Sequence, residues 1–114
     1  MTLQEIIESL DLKVLTSPKD YTKINLSSGY TSDLLSCVMA SAQHQGVWIT
    51  LQSHINIVAV AALLDLSAVI ITENATPDEA TVAKANSEGI TLLATPRPTF
   101  TVVGQLWEMG LREN

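Results

Sequence analysis

Side chains able to hydrogen-bond a ligand follow three apolar runs of this sequence, in residues 52–56, 72–76 and 95–99. The carboxyl ends of parallel strands meet at one edge of a sheet, where helix N-termini offer backbone N–H groups to an anion. We therefore expect these segments to form a binding site for a small polar ligand, using Ser53, His54, Asn56, Thr72, Asn74 and Arg97. The alternative is that they are ordinary helix caps and loop polar groups.

The spacing of reactive residues does not fit a catalytic or metal site. The sequence contains neither a G-x-S-x-G nucleophile elbow nor a G-x-x-x-x-G-K-[ST] phosphate loop. His44 and His54 lie in no known metal-ligand spacing, and Cys37, in an apolar-periodic run, is predicted to be a buried hydrophobe. We predict that the protein is not an enzyme, with no catalytic residues, no metal and no cofactor.

The amino-acid composition narrows the class of protein further. Nearly half the residues are apolar (46%) and only 16% are charged, which predicts one folded domain over residues 1–114. The net charge of −6 and the scattered Lys and Arg residues argue against nucleic-acid binding. No apolar run approaches the roughly 18 residues of a membrane span, and the first residues lack the pattern of a secretion signal. We expect a cytoplasmic protein that does not bind membranes.

Strand and helix patterns alternate from Val47 onward. The strands are predicted at 47–52, 68–72 and 90–94, and the helices at 55–64, 77–87 and 99–109. Thr76 and Pro77 are predicted to begin the second of these helices, and Gly89 to end it. This alternation predicts an α/β fold, a layered α/β domain with a parallel C-terminal β-α-β-α-β-α half.

The N-terminal half is predicted from weaker signals. Thr2 and Glu5 fit a capping box, which begins a helix that ends near Leu10. Strands are predicted at 12–16 and 23–27, and residues 29–33 are predicted to form a turn. Ser32 and Asp33 are then expected to cap a helix that continues to about residue 43.

The predicted helix at 55–64 is apolar on every face between Ile57 and Leu64, without the polar stripe of a surface helix. Either the N-terminal helix of the same chain covers its second face, or a second copy of the chain does. The second alternative predicts a homodimer whose interface contains Ile57, Val60, Ala61 and Leu64.

Several stretches of the chain resemble the DRTGG domain family. The resemblance runs from about Leu3 to Leu111 and is carried by residues 29–40, 48–61 and 70–72, with Pro77 and Asp78. Such domains are similar to the N-terminal domain of HPr kinase/phosphorylase and occur beside CBS domains in regulated pyrophosphatases. The resemblance implies a single DRTGG-like domain that regulates rather than catalyses, tends to dimerise, and can contribute to an adenine-nucleotide site.

The chain departs from the family pattern at its defining residues. The Asp-Arg pair falls near Ser53 and His54, and the Thr-Gly-Gly near Thr72, Glu73 and Asn74, so only the Thr is retained. Without the Arg, a charge-assisted contact to phosphate is missing, and Glu73 adds repulsion.

Three functional hypotheses follow, the third being an enzyme whose nucleophile–base pair is not visible in the sequence. The first is a regulatory or ligand-sensing domain that dimerises and binds a small anionic or nucleotide ligand. The second is a purely structural dimerisation or docking subunit of a larger protein complex. For stand-alone domains of this kind, the resemblance implies a redox complex related to iron-only hydrogenases.

Overall fold

The computed structural model describes residues 1–113, which form five α-helices around a five-stranded sheet. The helices are α1 (Leu3–Ser9), α2 (Leu35–Ser41), α3 (Asn56–Leu63), α4 (Glu79–Glu88) and α5 (Thr99–Met109). The strands are β1 (Lys13–Val14), β2 (Gly29–Thr31), β3 (Val47–Thr50), β4 (Ala68–Ile71) and β5 (Leu92–Ala94). The strand order is β1-β5-β4-β3-β2, with β2 to β5 parallel and β1 antiparallel to β5. The predicted α/β class and parallel C-terminal half are confirmed.

Helices cover both sides of the sheet. We call the side that packs against α1 and α5 the front face, and the side that packs against α2, α3 and α4 the back face. Side chains alternate between the two along each strand: Ile49 packs into the front core, and its neighbour Trp48 into the back core. All four residues of β3 and of β4 are buried, as expected for parallel strands between two helical layers.

The chain leaves β4 and β5 in opposite directions. The helices that follow β2, β3 and β4 all lie on the back face, whereas α5, which follows β5, lies on the front face. Two neighbouring strands whose connections diverge in this way leave a crevice at their carboxyl ends, the usual place for a ligand in an open α/β sheet.

The helix ends agree with the predictions in most places. Thr2 and Glu5 form both hydrogen bonds of the capping box, each of 3.2 Å. The bounds of α5 are those predicted, and Gly89 ends α4 with a φ of 71°. The predicted start of α4 is wrong by two residues, because Asp78 rather than Thr76 is the cap and accepts a 2.9 Å hydrogen bond from the Thr81 N–H.

The predicted strand at 23–27 is also wrong, since the strand at this edge of the sheet is β2, which begins at Gly29 in the predicted turn. Its place depends on close packing: a Cβ on Gly29 would lie 2.9 Å from Leu111 Cδ2. The Gly29 N–H donates a 2.8 Å hydrogen bond to the Arg112 carbonyl oxygen. A glycine in a strand often marks such an approach of another chain segment.

The predicted cap of α2 is wrong as well. Asp33 does not lie at the helix start, because its Oδ1 accepts hydrogen bonds from the Thr50 hydroxyl (2.7 Å) and the Leu51 N–H (2.9 Å) beyond β3. Helix α2 begins two residues later without a side-chain cap, and Cys37 on it is exposed rather than buried.

Helix α3 lacks a polar stripe because it contacts α2 and α4 on either side and packs on the sheet beneath it. Helix α1 lies on the other face of the sheet, so the expectation that α1 covers α3 is wrong. Ile57, Val60 and Ala61, expected in an interface between chains, are buried inside the subunit, and Leu64 is half-buried. The large apolar residue that α3 exposes is Leu63, at 70%.

Candidate functional site

A cleft of about 150 Å³ opens where the loops after β4 and β5 diverge. We call it the strand-end cleft. It is lined by Lys13, Leu15, Asn74, Ala75, Thr76, Pro77, Ala94, Thr95 and Pro96. Leu15 and Ala75 also pack on the back core, so the cleft lies at the back-face side of the strand ends.

Three polar side chains in this lining are free to meet a ligand. Lys13 is exposed and makes no salt bridge with any of residues 1–113. Within the same residues, neither the Asn74 amide nor the Thr76 hydroxyl has a hydrogen-bond partner. A free ammonium, amide and hydroxyl around one cleft can together bind an oxyanion.

The loop that carries Asn74 is in a conformation that favours glycine. Glu73 and Asn74 have φ values of 61° and 60°. The turn is fixed by two backbone hydrogen bonds, from Glu73 N to Arg97 O (2.9 Å) and from Asn74 N to Thr95 O (3.2 Å). The resemblance to the DRTGG family places its paired glycines near these two positions, and left-handed backbone is what glycine would favour there.

The helix N-terminus nearest this loop is already occupied. Glu73 Oε2 accepts a 2.8 Å hydrogen bond from the Thr99 N–H at the start of α5. The hydroxyl of Thr72, which is fully buried, is hydrogen-bonded to the hydroxyl of Thr99. The place where α5 could bind an external anion is therefore filled by a carboxylate of the same chain, and Thr72 supports the loop from inside.

Arg97 is directed elsewhere. Its Nη1 donates a hydrogen bond to the Leu10 carbonyl oxygen at the end of α1, and its side chain is half-buried. Arg97 does not line the strand-end cleft. The cation that does is Lys13, which sequence reasoning missed because β1 runs antiparallel to β5 and so brings its first residue, rather than its last, beside Ala94.

The other expected site residues lie on the neighbouring β3–α3 loop, outside the cleft lining. His54 Nδ1 accepts a 3.1 Å hydrogen bond from the Asn56 N–H, and Ser53 is half-buried beside it. His54 approaches the α4 cap, where hydrogen bonds from the Thr81 hydroxyl and N–H hold the pKa of Asp78 below its usual value, with a smaller contribution from the His54 charge. Of the six expected site residues, the structure places only Asn74 in the cleft.

The described residues contain neither a metal-binding cluster nor a membrane-spanning helix. Residues 1–113 contain no group of three or more His, Cys, Asp or Glu side chains that could hold a metal ion. Across the same residues, none of the helices has the length and apolar character needed to cross a membrane.

Comparison with known proteins supports the fold. A solved structure, the CBS and DRTGG domains of the regulatory region of Clostridium perfringens pyrophosphatase complexed with the activator diadenosine tetraphosphate, is similar with a TM-score of 0.75. The similarity covers 98% of this chain at 18% identity, so it shows the fold alone, and it spans 48% of the other chain. No family model matches the sequence, and no curated protein matches it.

Proposed function

We propose that this chain is a DRTGG-type regulatory domain that senses a small anionic ligand in the strand-end cleft and acts as a homodimer. The observation that carries the ligand-binding proposal is the position of Lys13, an unpaired cation at the divergence of β4 and β5, with Asn74 and Thr76 beside it. The similarity to a regulatory region that is complexed with a nucleotide activator supports the class of ligand.

The electrostatics limit what the cleft can bind. The chain carries a net charge of −6, so an anion meets repulsion over most of the surface and attraction only near an unpaired cation. The Glu73 carboxylate, the nearest source of repulsion in the loop, is hydrogen-bonded to the start of α5. At about 150 Å³ the cleft suits one phosphate or diphosphate group, with the rest of a nucleotide lying outside it.

The lining of the cleft supports binding without catalysis. Among the described residues that line it, Lys13 is the one ionisable side chain, and the lining contains no His, Cys or carboxylate. Acid–base or nucleophilic catalysis needs a reactive group within hydrogen-bond reach of a base. The cleft therefore supports a sensor rather than an enzyme.

A ligand in the cleft would act on both helices of the front face. Asn74 follows Glu73, which caps α5, and the loop after β5 is connected to α1 through Arg97. Ordering the Asn74 loop would favour one arrangement of these contacts over others, which is how binding shifts a conformational equilibrium.

A second candidate function is docking into a larger protein complex. The observation that favours it is a set of exposed apolar side chains around α2 and α3, namely Leu34, Met39, Leu51, Ile55 and Leu63. Exposed apolar side chains gathered in one region are typical of protein interfaces.

Thermal denaturation in the presence of diphosphate, ADP or adenosine tests the proposed ligand class. We expect diphosphate and ADP to raise the melting temperature and adenosine to leave it unchanged, because a ligand at 100 times its Kd adds about 2.7 kcal/mol to stability. Lys13→Ala should abolish the shift. The matched control is Lys84→Ala, which removes a lysine paired with Glu88 on α4, and it should retain the shift.

A further inference from the structure

Helix α5 exposes an apolar stripe, although the Arg112 guanidinium lies over the Trp107 ring, 4.0 Å from its centroid. Phe100 is 91% exposed and Trp107 is 49% exposed, with half-buried Val103 and exposed Gly104 between them. Residues at positions i, i+3, i+4 and i+7 share one face of a helix, so these four form one continuous strip. The opposite side of α5, with Val102 and Leu106, packs into the front core.

A cavity of about 240 Å³ lies beside this strip, between α5 and the edge strand β2. Most of its lining is apolar: Ile49 comes from the sheet, Leu106 and Trp107 come from the helix, and Leu111 follows the helix, with Arg112 and Glu113 beside it. The Thr31 hydroxyl at its edge donates a 2.8 Å hydrogen bond to the Ile49 carbonyl oxygen and needs no further partner. Such a cavity suits an aromatic side chain better than a charged one.

Gly104 lies in the middle of α5 without a close contact that would require a glycine. A Cβ added to it would meet nothing within 4 Å, so the helix has room for a larger residue, and glycine is unfavourable in the middle of a helix. A glycine at the centre of an exposed strip lets a second helix approach closely, with larger side chains on either side of it. A second helix packed across α5 would explain why a glycine lies at this position.

The exposed strip of α5 has a shape that can pack against a second copy of the same strip. When the strip is turned end over end about the point between Val103 and Gly104, Phe100 takes the place of Trp107, about 10 Å along the helix, and Val103 takes the place of Gly104. A two-fold interface requires this property, since the same surface must serve on both sides.

We propose that α5 packs antiparallel against α5 of a second copy of this chain, so that Phe100 of each copy enters the cavity beside Trp107 of the other. The inference deepens the dimer part of the proposed function and is independent of ligand binding. It places the interface on the front face, away from α3. Helix α5 is also the helix that Glu73 caps, so the loop carrying Asn74 lies next to the paired helices.

Sedimentation equilibrium of the whole chain tests the interface with three variants. We expect the unchanged chain to be a dimer at micromolar concentrations, and Phe100→Ser and Gly104→Gln each to raise the dimer dissociation constant at least tenfold. Both positions are exposed, so circular dichroism should show folded monomers. Leu63→Ser, which removes another largely exposed apolar side chain, from α3, is the matched control and should remain dimeric.

Each of the other possible results contradicts a specific part of the proposal. Dimers of Phe100→Ser and Gly104→Gln with unchanged dissociation constants would overturn the α5 interface while leaving a dimer in place. Dissociation by Leu63→Ser alone would move the interface to α3. A monomeric unchanged chain would overturn both the interface and the dimer part of the proposed function, while the diphosphate experiment would still decide the ligand-binding part.

Discussion

The Glu73 carboxylate accepts a 2.8 Å hydrogen bond from the Thr99 N–H and so connects the loop after β4 to the helix that follows β5. This one contact closes the crevice on the α5 side, where the helix N-terminus would otherwise attract an anion. It leaves the Lys13 side of the crevice open. The proposed site therefore depends on a lysine from an antiparallel strand rather than on a helix N-terminus.

The first prediction concerns the left-handed backbone at Glu73. Glu73→Ala should lower the free energy of unfolding by about 1 kcal/mol, because it removes the α5 cap and keeps a Cβ at a φ of 61°. Glu73→Gly loses the same cap but relieves that conformation, so it should be the more stable of the two by roughly 1 kcal/mol. Urea denaturation measures both. Equal stabilities, or a less stable glycine variant, would contradict the account of this loop.

The second prediction concerns Asp78 and pH. Hydrogen bonds from the Thr81 hydroxyl and N–H lower the pKa of Asp78 in the folded chain, so the ionised form stabilises the fold. That contribution is present above the usual pKa of an aspartate and is lost as the pH falls through the lowered value. Asp78→Asn keeps an oxygen acceptor but does not titrate. The difference in free energy of unfolding between the unchanged chain and Asp78→Asn should therefore shrink as the pH is lowered. A difference that stays constant with pH would count against this cap.

The third prediction separates a structural arginine from a ligand-binding one. Arg97 donates to the Leu10 carbonyl oxygen, so Arg97→Ala should lower the free energy of unfolding by about 1–3 kcal/mol, as expected for a lost charge-assisted hydrogen bond. The dissociation constant of the Arg97→Ala variant for diphosphate should stay within twofold of that of the unchanged chain. Denaturation and calorimetry measure the two effects. A large loss of affinity with unchanged stability would return Arg97 to the binding site.

Sequence reasoning reached the fold because its strongest signals are local. The alternation of strands and helices after Val47 and the glycine at position 89 follow from short-range preferences that tertiary contacts reinforce. The edge strand was missed because Gly29 has a low strand preference and is placed there by Leu111, which is distant in sequence. The α2 cap was missed for the same reason, because the Asp33 carboxylate accepts hydrogen bonds from Thr50 and Leu51 at the end of β3.

The site was harder to predict than the fold. The rule that ligands bind at the carboxyl ends of parallel strands led to the edge of the sheet where the strand-end cleft lies and to Asn74 in its lining. It could not lead to Lys13, because the position of this residue depends on β1 being antiparallel and next to β5. Nor could it show that Glu73 and Thr72 are occupied by contacts to Thr99, since those contacts join segments that no sequence pattern connects.

The central claim is that an anion binds at Lys13, and a titration followed by amide chemical shifts tests it most directly. Diphosphate added to the ¹⁵N-labelled chain should give saturable shifts at Lys13, Asn74 and Thr76, with small changes at His54 and none on the solvent side of α4. Lys13→Ala should weaken binding about 10-fold or more, as expected for a charge-assisted contact. Saturable shifts centred on Ser53 and His54 would move the site to the β3–α3 loop, and no saturable shifts at millimolar diphosphate would contradict ligand sensing in this cleft.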